Sequence, residues 1–345
     1  MRVKLLLLVC LFFLASGCMQ SARVTPAANV AAPGTAFTIT NYDSSMHEHT
    51  YTYSKHPQRI VALWQNSIET IIALGAADKI IAAAGVYNEK HLHPAYLDAY
   101  QRIPVKSRQI FAQEQVLVMQ PDFIAGWLFD FTGKGRSVGT SSFWEERGVN
   151  VYMNLMNGAE FKAEHTIDDE LRYINDLGEI VDAKAQAHNL TRQITSKLQN
   201  EKQELQKYPR LKVLIISSLG RVLSIYTPRT LPGNIVTALG AEVMGKDNES
   251  VGENEYISYE EIVANQPDVI FLQCTPETEK IILQTINNMP ALRNIPCVRS
   301  KQVYCIPFYT IRSPGIRISD AIDIFSQGLK QAAAQKAATA SKTSL

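Results

Sequence analysis

Two segments of this chain nearly repeat one another. Residues 114–124 are EQVLVMQPDFI and residues 260–270 are EEIVANQPDVI, so each contains a Glu, an apolar pair, Gln-Pro-Asp and an apolar run. A second pair of similar segments precedes them in the same order, with IIALGA at 71–76 and IVTALGA at 235–241. The two pairs are separated by different numbers of residues, which is not the signature of a short solenoid repeat. The sequence therefore predicts two related lobes that differ in their loops.

Within each lobe, buried strand patterns alternate with helical patterns. The first lobe has apolar runs at 59–63, 79–85 and 122–127 with helical segments between them, and the run LKVLIISS at 211–218 restarts the alternation. This alternation is typical of parallel α/β sheets. Between the lobes, residues 182–207 contain no Gly or Pro. We expect a helix there of roughly 40 Å, at 1.5 Å per residue, that crosses between the lobes. A surface helix of one large domain is the alternative.

The N-terminus has the pattern of an export signal. A basic start is followed by the apolar run 5–14 and then by Ala-Ser-Gly-Cys, which predicts a signal peptide at 1–17, too short to span a membrane. The position of Cys18 resembles the lipobox of bacterial lipoproteins, in which the Cys is lipid-modified. Cleavage by a different peptidase and an uncleaved anchor are the alternatives. We therefore expect an exported protein, anchored by lipid to the periplasmic or outer face of the bacterial cell membrane.

These patterns divide the chain into six parts. After the signal peptide we expect a lipid-anchored tether (18–50), an N-terminal lobe (51–165), a helical segment (166–208), a C-terminal lobe (209–332) and a disordered tail (333–345). The chain is 46% hydrophobic and 19% charged, which is ordinary for a globular protein. Its net charge of +1 and the lack of a basic block give no reason to expect a nucleic-acid partner. We expect a monomer.

The cysteines give little guidance. Cys274, Cys297 and Cys305 remain after the signal and the predicted lipid site, so at most one disulfide can form among them within the chain. Which pair would form it stays open. Their spacing lacks the paired C-x-x-C pattern of a structural zinc site.

Several segments together resemble those of a known family, namely HPQRIVAL, EQVLVMQPDFI, FWEERGVNVY, ISYEEIVANQPDVIF and IPFYTIRSPG. With the export signal and the long helix, the chain resembles the helical-backbone (class III) substrate-binding proteins of ABC importers. The similar branch binds iron–siderophores, haem and cobalamin, and the likeness covers residues 57–330. The implied fold class is α/β, with two Rossmann-like lobes and parallel sheets joined by a single long backbone helix.

The resemblance also implies a mode of action and two partners. Such a protein is not an enzyme and has no cofactor of its own: it captures a ligand between its lobes and delivers it to a membrane permease, whose ATPase subunits hydrolyse ATP. One Glu on each lobe of these proteins docks onto Arg residues of the permease, and the matching positions here are Glu114 and Glu260. The alternative is purely local, since a carboxylate in the first turn of a helix is favoured by about 0.3–1 kcal/mol.

Candidate ligand contacts follow the predicted strands. In open α/β sheets, ligands bind outside the carboxyl ends of the strands. The residues just past those ends are predicted to line the cleft; they are Trp64, Tyr87, Trp127, Arg221, Tyr226, Phe308, Tyr309 and Arg312. Aromatic faces and guanidinium groups suit a bulky, partly anionic chelate, although each aromatic residue taken singly could instead belong to the core. We expect an iron(III)–siderophore-type ligand, with cobalamin or another corrinoid, or haem, as alternatives.

Two other kinds of function are less well supported. A bare metal ion held between the lobes needs His or carboxylate ligands from both. The histidines are at 47, 49, 56, 91, 93, 165 and 188, so the second lobe has none. The segments His47-Glu-His49 and His91-Leu-His93 could each bind a metal weakly, and we interpret both as solvated polar segments, the second of them a loop. No G-x-G-x-x-G or Walker glycine loop occurs. An exported α/β enzyme stays open as the alternative of another class.

Overall fold

The computed structural model describes residues 36–133, 135, 137–154, 164–245 and 255–343. The predicted signal peptide (1–17), the lipid site Cys18 and the first part of the predicted tether lie outside these residues. Among the residues described, no helix is both long and apolar enough to cross a membrane.

The described chain begins with an antiparallel hairpin that the sequence analysis did not predict. Its strands are β1 (Phe37–Tyr42) and β2 (Glu48–Tyr53), with Phe37 paired to Tyr53. Ile39 and Tyr51 are buried in the same core as the first lobe. The alternation of apolar and polar residues in TYTY is that of a half-buried strand. The predicted tether (18–50) is therefore wrong from Phe37 onward.

The first lobe is a parallel sheet covered by helices. Its strands are β3 (Ile60–Leu63), β4 (Ile80–Ala84), β5 (Val105–Ser107), β6 (Phe123–Trp127) and β7 (Asn150–Asn154). Its helices are α1 (Trp64–Ala73), α2 (Pro94–Gln101), α3 (Gln113–Met119) and α4 (Ser141–Glu145). The strand order is β5-β4-β3-β6-β7, with every neighbouring pair parallel. The central strands are continuous apolar runs because both of their faces are covered.

Two helices connect the lobes, where the sequence predicted one. They are α5 (Ile167–Ile180) and α6 (Lys184–Leu205). The break between them lies at Asp182, whose φ of 61° is left-handed. The helices pack closely, since a Cβ on Gly178 would lie 2.3 Å from the Cβ of Ala187. With 22 residues, α6 is about 33 Å long. It leads directly into the second lobe, as expected of the interlobe helix.

The second lobe has a mixed sheet. Its strands are β8 (Lys212–Ser218), β9 (Leu223–Ile225), β10 (Glu242–Val243), β11 (Glu255–Ile257), β12 (Val269–Cys274) and β13 (Val303–Pro307). Its helices are α7 (Leu231–Ala238), α8 (Tyr259–Asn265), α9 (Glu279–Asn288), α10 (Pro296–Arg299) and α11 (Ile318–Thr343). Strands β10, β8, β12 and β13 pair in parallel, whereas β9 pairs antiparallel with β8 and β11.

The antiparallel edge has a simple cause. Only residues 219–222 separate β8 from β9, and a parallel return needs a crossover of a dozen or more residues. The predicted fold class, two α/β lobes joined by a long helix, is confirmed, with this antiparallel edge as an addition.

The C-terminal residues form helix rather than a disordered tail. Helix α11 continues to Thr343, and Leu329 and Ala333 on it are buried. Lys336 of the same helix forms a salt bridge of 2.8 Å with Asp268. The predicted disordered tail (333–345) is therefore wrong as far as residue 343, because the helix continues to that residue.

The repeated Gln-Pro-Asp segments perform the same structural task in both lobes. The carboxylate of Asp122 accepts the backbone N–H of Arg59, just before β3, at 2.8 Å. The carboxylate of Asp268 accepts the backbone N–H of Lys212, the first residue of β8, at 2.9 Å. Each Asp also donates its own N–H to the carbonyl of that same residue. The repeat thus fastens one helix–strand unit to the neighbouring central strand.

Candidate ligand-binding cleft

An aromatic wall lies at the carboxyl ends of neighbouring strands in the first lobe. The indole rings of Trp64 and Trp127 are stacked, with centroids 4.5 Å apart and an interplanar angle of 12°. The ring of Tyr87 lies 6.0 Å from that of Trp64, and this tyrosine is 55% exposed. The structure therefore brings together all three residues that the sequence predicted for this lobe. Phe129, which is half exposed and follows Trp127 by two residues, was not predicted.

The position of Trp64 is fixed by its surroundings. Its φ of 68° is left-handed, which is rare and costly for a bulky residue. The indole Nε1 donates a hydrogen bond of 2.7 Å to Asp130, which also accepts the backbone N–H of Trp127 at 2.7 Å. Gly85 lies under the ring, where a Cβ would approach the indole Cε3 to 2.8 Å. The stacked pair is thus held in place by contacts within the protein.

Asp130 is a site residue that the sequence analysis missed. It lies in a short 3-10 helix, Leu128–Phe131, and is only 3% exposed. Burial raises the pKa of its carboxyl from 3.8 to about 6, against the opposing effect of the hydrogen bonds from Trp127 and Trp64. A single carboxylate in the apolar segment WLFDF was the available signal. The aromatic wall is therefore supported by a group that titrates above the usual range of an aspartate.

Asp130→Asn is expected to remove a pH dependence of stability. Because the folded-state pKa is raised, protonated Asp130 stabilises the fold fully below pH 3.8, and this contribution is lost as the pH rises through about 6. The asparagine stays neutral and can accept the same two hydrogen bonds. At pH 8 we expect the variant to be more stable than the wild type, by up to about 3 kcal/mol. Urea unfolding from pH 4 to 8 measures this, and the two proteins should converge near pH 4. Parallel profiles would show that Asp130 is not the titrating group.

On the second lobe, two of the predicted aromatic residues face the first lobe. Phe308 and Tyr309 lie in a 3-10 helix directly after β13, with ring centroids 5.5 Å apart. The ring of Tyr309 stacks on the imidazole of His91, a first-lobe residue, at 5.1 Å. These two residues therefore lie where the lobes meet.

The remaining predicted residues are not part of the wall defined by these contacts. Tyr226 is 4% exposed and donates a hydrogen bond to Gln273, so it is a core residue of the second lobe. Arg221 lies in the exposed turn between β8 and β9. The hydroxyl of Tyr259, the first residue of α8, donates a hydrogen bond of 2.7 Å to the backbone carbonyl of Gly220, which precedes Arg221. Arg312 is half-buried, with its backbone N–H bonded to the carbonyl of Phe308.

His91 corrects the interpretation of residues 91–93 as a solvated loop. Its side chain is 8% exposed, and its Nε2 lies 3.0 Å from both carboxylate oxygens of Glu277, a second-lobe residue. Asn88 donates to the same carboxylate at 2.7 Å. Sequence reasoning missed Glu277, because neither its spacing nor its neighbours link it to the first lobe. Within the described ranges there is no group of three or more His, Cys, Asp or Glu side chains that could hold a metal ion.

At the base of the cleft, the segment before α11 packs against the first lobe. The guanidinium of Arg317 forms a buried ion pair of 3.0 Å with Glu69 of α1. Burial raises the pKa of Glu69, and the charge of Arg317 opposes this shift. The backbone N–H of Gly315 donates to Glu170 of α5 at 2.6 Å. Removing Arg317 would leave the buried charge of Glu69 without its ion-pair partner, which is strongly destabilising. This base is therefore a fixed contact between the lobes.

The two predicted docking residues are exposed and are not helix caps. Glu114 and Glu260 lie in the first turns of α3 and α8. In α3 the capping contact comes from Gln115, whose side chain accepts the N–H of Ala112 at 2.9 Å. In α8 it comes from Ser258, whose hydroxyl accepts a backbone N–H at 3.1 Å. These two carboxylates therefore do not cap their helices, and they occupy first-turn positions in which the helix dipole favours a negative charge.

Exposed aliphatic side chains lie beside both carboxylates. One turn after Glu114, Leu117 and Val118 are 37% and 83% exposed. The residue equivalent to Leu117 in the repeat is Val263, one turn after Glu260, and it is 42% exposed. The same combination of a carboxylate and an exposed aliphatic group thus occurs on both lobes.

Comparison with known proteins identifies the family. The periplasmic binding protein family matches residues 60–310. A periplasmic binding protein from Veillonella parvula is 34% identical, with 86% of this chain and 92% of that chain covered and a TM-score of 0.77. No curated protein sequence matches significantly.

Two more distant solved structures share the fold. A protein of an ABC-type Fe3+-hydroxamate transport system from Saccharomonospora viridis is 18% identical, with coverage of 85% and 98% and a TM-score of 0.66. A periplasmic haem-binding protein from Roseiflexus is 16% identical, with coverage of 80% and 99% and a TM-score of 0.57. The family match and the two lobes joined by a long helix confirm the resemblance drawn from the repeated segments. The chain belongs to the periplasmic binding protein family, in its helical-backbone class of ABC-importer substrate-binding proteins.

Proposed function

We propose that this protein captures an iron(III)–siderophore-type chelate between its lobes and delivers it to the permease of an ABC importer. The observation that carries the proposal is the preorganised stack of Trp64 and Trp127 at the strand ends of the first lobe. In this proposal the chain binds and carries its ligand without chemistry, and the ATPase subunits of the importer hydrolyse ATP.

The shape and chemistry of the site support a chelate ligand. Stacked indoles offer a flat, rigid apolar surface at low entropic cost, which suits the aromatic or aliphatic rim of a chelate. Phe308 and Tyr309 add aromatic rings from the second lobe. The Fe3+-hydroxamate transport protein of Saccharomonospora viridis shares this fold.

Haem or a corrinoid is the second candidate ligand. A flat macrocycle would also stack on paired indoles, and the haem-binding protein from Roseiflexus has the same fold. We favour the siderophore on the sequence prediction of a guanidinium beside the aromatic pair of the second lobe, Arg312, which would suit anionic chelate oxygens; the ligand panel below separates the two candidates.

Two further features complete the proposal. The chain is exported, and Cys18 carries a lipid that holds it at the membrane; the supporting observation is the pattern of residues 1–18.

Glu114 and Glu260 contact cationic residues of the permease, one on each lobe. Their exposure, their equivalent positions in the repeat and the aliphatic side chains beside them support this role. We propose that the protein acts as a monomer.

A ligand panel tests the proposal through intrinsic tryptophan fluorescence. The probes are ferric desferrioxamine B, ferric enterobactin, haemin and cyanocobalamin, with each iron-free siderophore as its control. We expect saturable quenching by at least one ferric siderophore. Quenching by haemin or cyanocobalamin alone would select the second candidate. No quenching by any probe, together with turnover of a small substrate, would favour an exported α/β enzyme instead.

A further inference from the structure

The loop after β12 makes a polar bridge between the lobes. It carries Glu277, and the loop is braced by the hydroxyl of Thr278, which accepts the backbone N–H of Thr275 at 2.9 Å. The Glu277 carboxylate meets the imidazole of His91 at 3.0 Å and the amide of Asn88 at 2.7 Å. Both partners belong to the first lobe. The bridge therefore lies at the strand ends, apart from the buried contacts at the base of the cleft.

The first-lobe half of the bridge is held in place. His91 is buried, and its ring also stacks on Tyr309 of the second lobe at 5.1 Å, which is a second contact between the lobes beside the bridge. Its backbone carbonyl accepts a hydrogen bond of 3.1 Å from Arg317, which is itself paired with Glu69. The imidazole is thus attached to the fixed base of the cleft.

The second-lobe half of the bridge is the Glu277 carboxylate, which can separate from His91 and Asn88 when the lobes part. The side chain of Glu277 is 50% exposed, so its carboxylate can be rehydrated without leaving a buried charge. The hydrogen bond from His91 holds the pKa of the Glu277 carboxyl at about 2, below its ordinary value of 4.5. The carboxylate is therefore ionised in the bridge at neutral pH. The contact between a fixed imidazole and a solvent-accessible carboxylate can therefore form and break as the lobes move.

We propose that the contact of Glu277 with His91 and Asn88 is a closing contact that determines how long the cleft retains its ligand. Release requires the lobes to part, so a bridge between them slows dissociation more than association. The effect on ligand rests on the proposed function. The bridge itself belongs to the protein and is measured without ligand. Glu277 acts here as a positioning residue that need not touch the ligand.

The first experiment follows lobe separation in the full chain without ligand. Dyes are attached through unnatural amino acids at Asp98 and Ile281, which are exposed residues of the two lobes. Energy transfer should fall or broaden in Glu277→Ala. The matched control is Glu279→Ala, which removes the same charge from an exposed position two residues away and should leave energy transfer unchanged. An unchanged distance in Glu277→Ala would overturn the proposal.

The second experiment follows the kinetics of whichever ferric siderophore quenches the wild type. In Glu277→Ala we expect the dissociation rate to rise about tenfold, with an association rate within about twofold of the wild type. Glu277→Asp should restore part of the slow dissociation. Asn88→Ala combined with Glu277→Ala should have less than the summed effect, because both changes break one contact. A merely structural role would not separate the two rates in this way.

The two experiments distinguish the two hypotheses. If a siderophore binds and Glu277→Ala leaves dissociation unchanged, the bridge proposal is wrong and the proposed function stands. If none of the four probes binds, the proposed function fails, and the energy-transfer measurement still decides whether the bridge holds the lobes together.

Discussion

Replacing Glu114 and Glu260 together with alanine is expected to abolish chelate uptake while leaving chelate binding unchanged. Both carboxylates are exposed, and the helix caps beside them are made by other residues. Their loss should therefore cost the fold little. Truncating one member of a hydrogen-bonded charge pair in an interface costs about 2–5 kcal/mol. Each single variant should lose about tenfold or more in uptake, and the double variant should lose more than either.

The measurement is uptake of radioactive iron as the ferric siderophore, in cells that carry the intact importer and the variant binding protein. Glu261→Gln is the matched control, since it removes a charge from the adjacent exposed position of the same helix and should transport normally. Calorimetry on the purified double variant should give the wild-type affinity. Wild-type uptake by the double variant would exclude docking through these residues, whatever the ligand.

Removing the indole of Trp64 is expected to weaken ligand binding by about 10- to 100-fold. A tryptophan can bury about 150–250 Å² against a partner, and this ring also stacks on Trp127 and bonds to Asp130. Trp64→Ala removes the contact surface and one of the two hydrogen bonds that Asp130 accepts. Trp64→Phe keeps a smaller aromatic face and loses the hydrogen bond to Asp130, so its affinity should be intermediate.

Calorimetry is the appropriate measurement, because the substitution also alters the intrinsic fluorescence. Tyr208→Ala is the control: it removes an aromatic side chain that is 38% exposed after the end of α6, and affinity should not change. Thermal unfolding of each variant identifies any loss of folded protein. If folded Trp64→Ala binds like the wild type, the aromatic wall is not the ligand site.

The features that the sequence predicted depend on local pattern and on sheet geometry. The repeated segments implied two lobes, and the strand–helix alternation implied their sheets. Trp64, Tyr87 and Trp127 were predicted together because each follows a strand end. The structure brings them into contact because β4, β3 and β6 are neighbours in one parallel sheet.

The features that the sequence did not predict depend on contacts between distant segments. The role of Glu277 is evident only from the structure, in which it contacts His91, a residue 186 positions away in the chain. Asp130 is important because it accepts a hydrogen bond from the indole of Trp64, and the sequence around Asp130 does not reveal this contact. Tyr226 was misplaced because β9 returns antiparallel over a short turn, so the residue after that strand enters the core.

The fastening of α3 and α8, which carry the two proposed docking residues, to central strands has a consequence for signalling. Asp122 and Asp268 tie α3 and α8 to β3 and β8, so each exposed Glu moves with its whole lobe. The span between Glu114 and Glu260 is then a direct measure of the angle between the lobes. A permease with two cationic sites at a fixed spacing would bind one lobe angle more tightly than another. By linkage it would favour that angle in the bound protein to the same extent. Ligand binding in the cleft would thereby reach the permease as a change in the distance between Glu114 and Glu260, without any contact between the permease and the ligand.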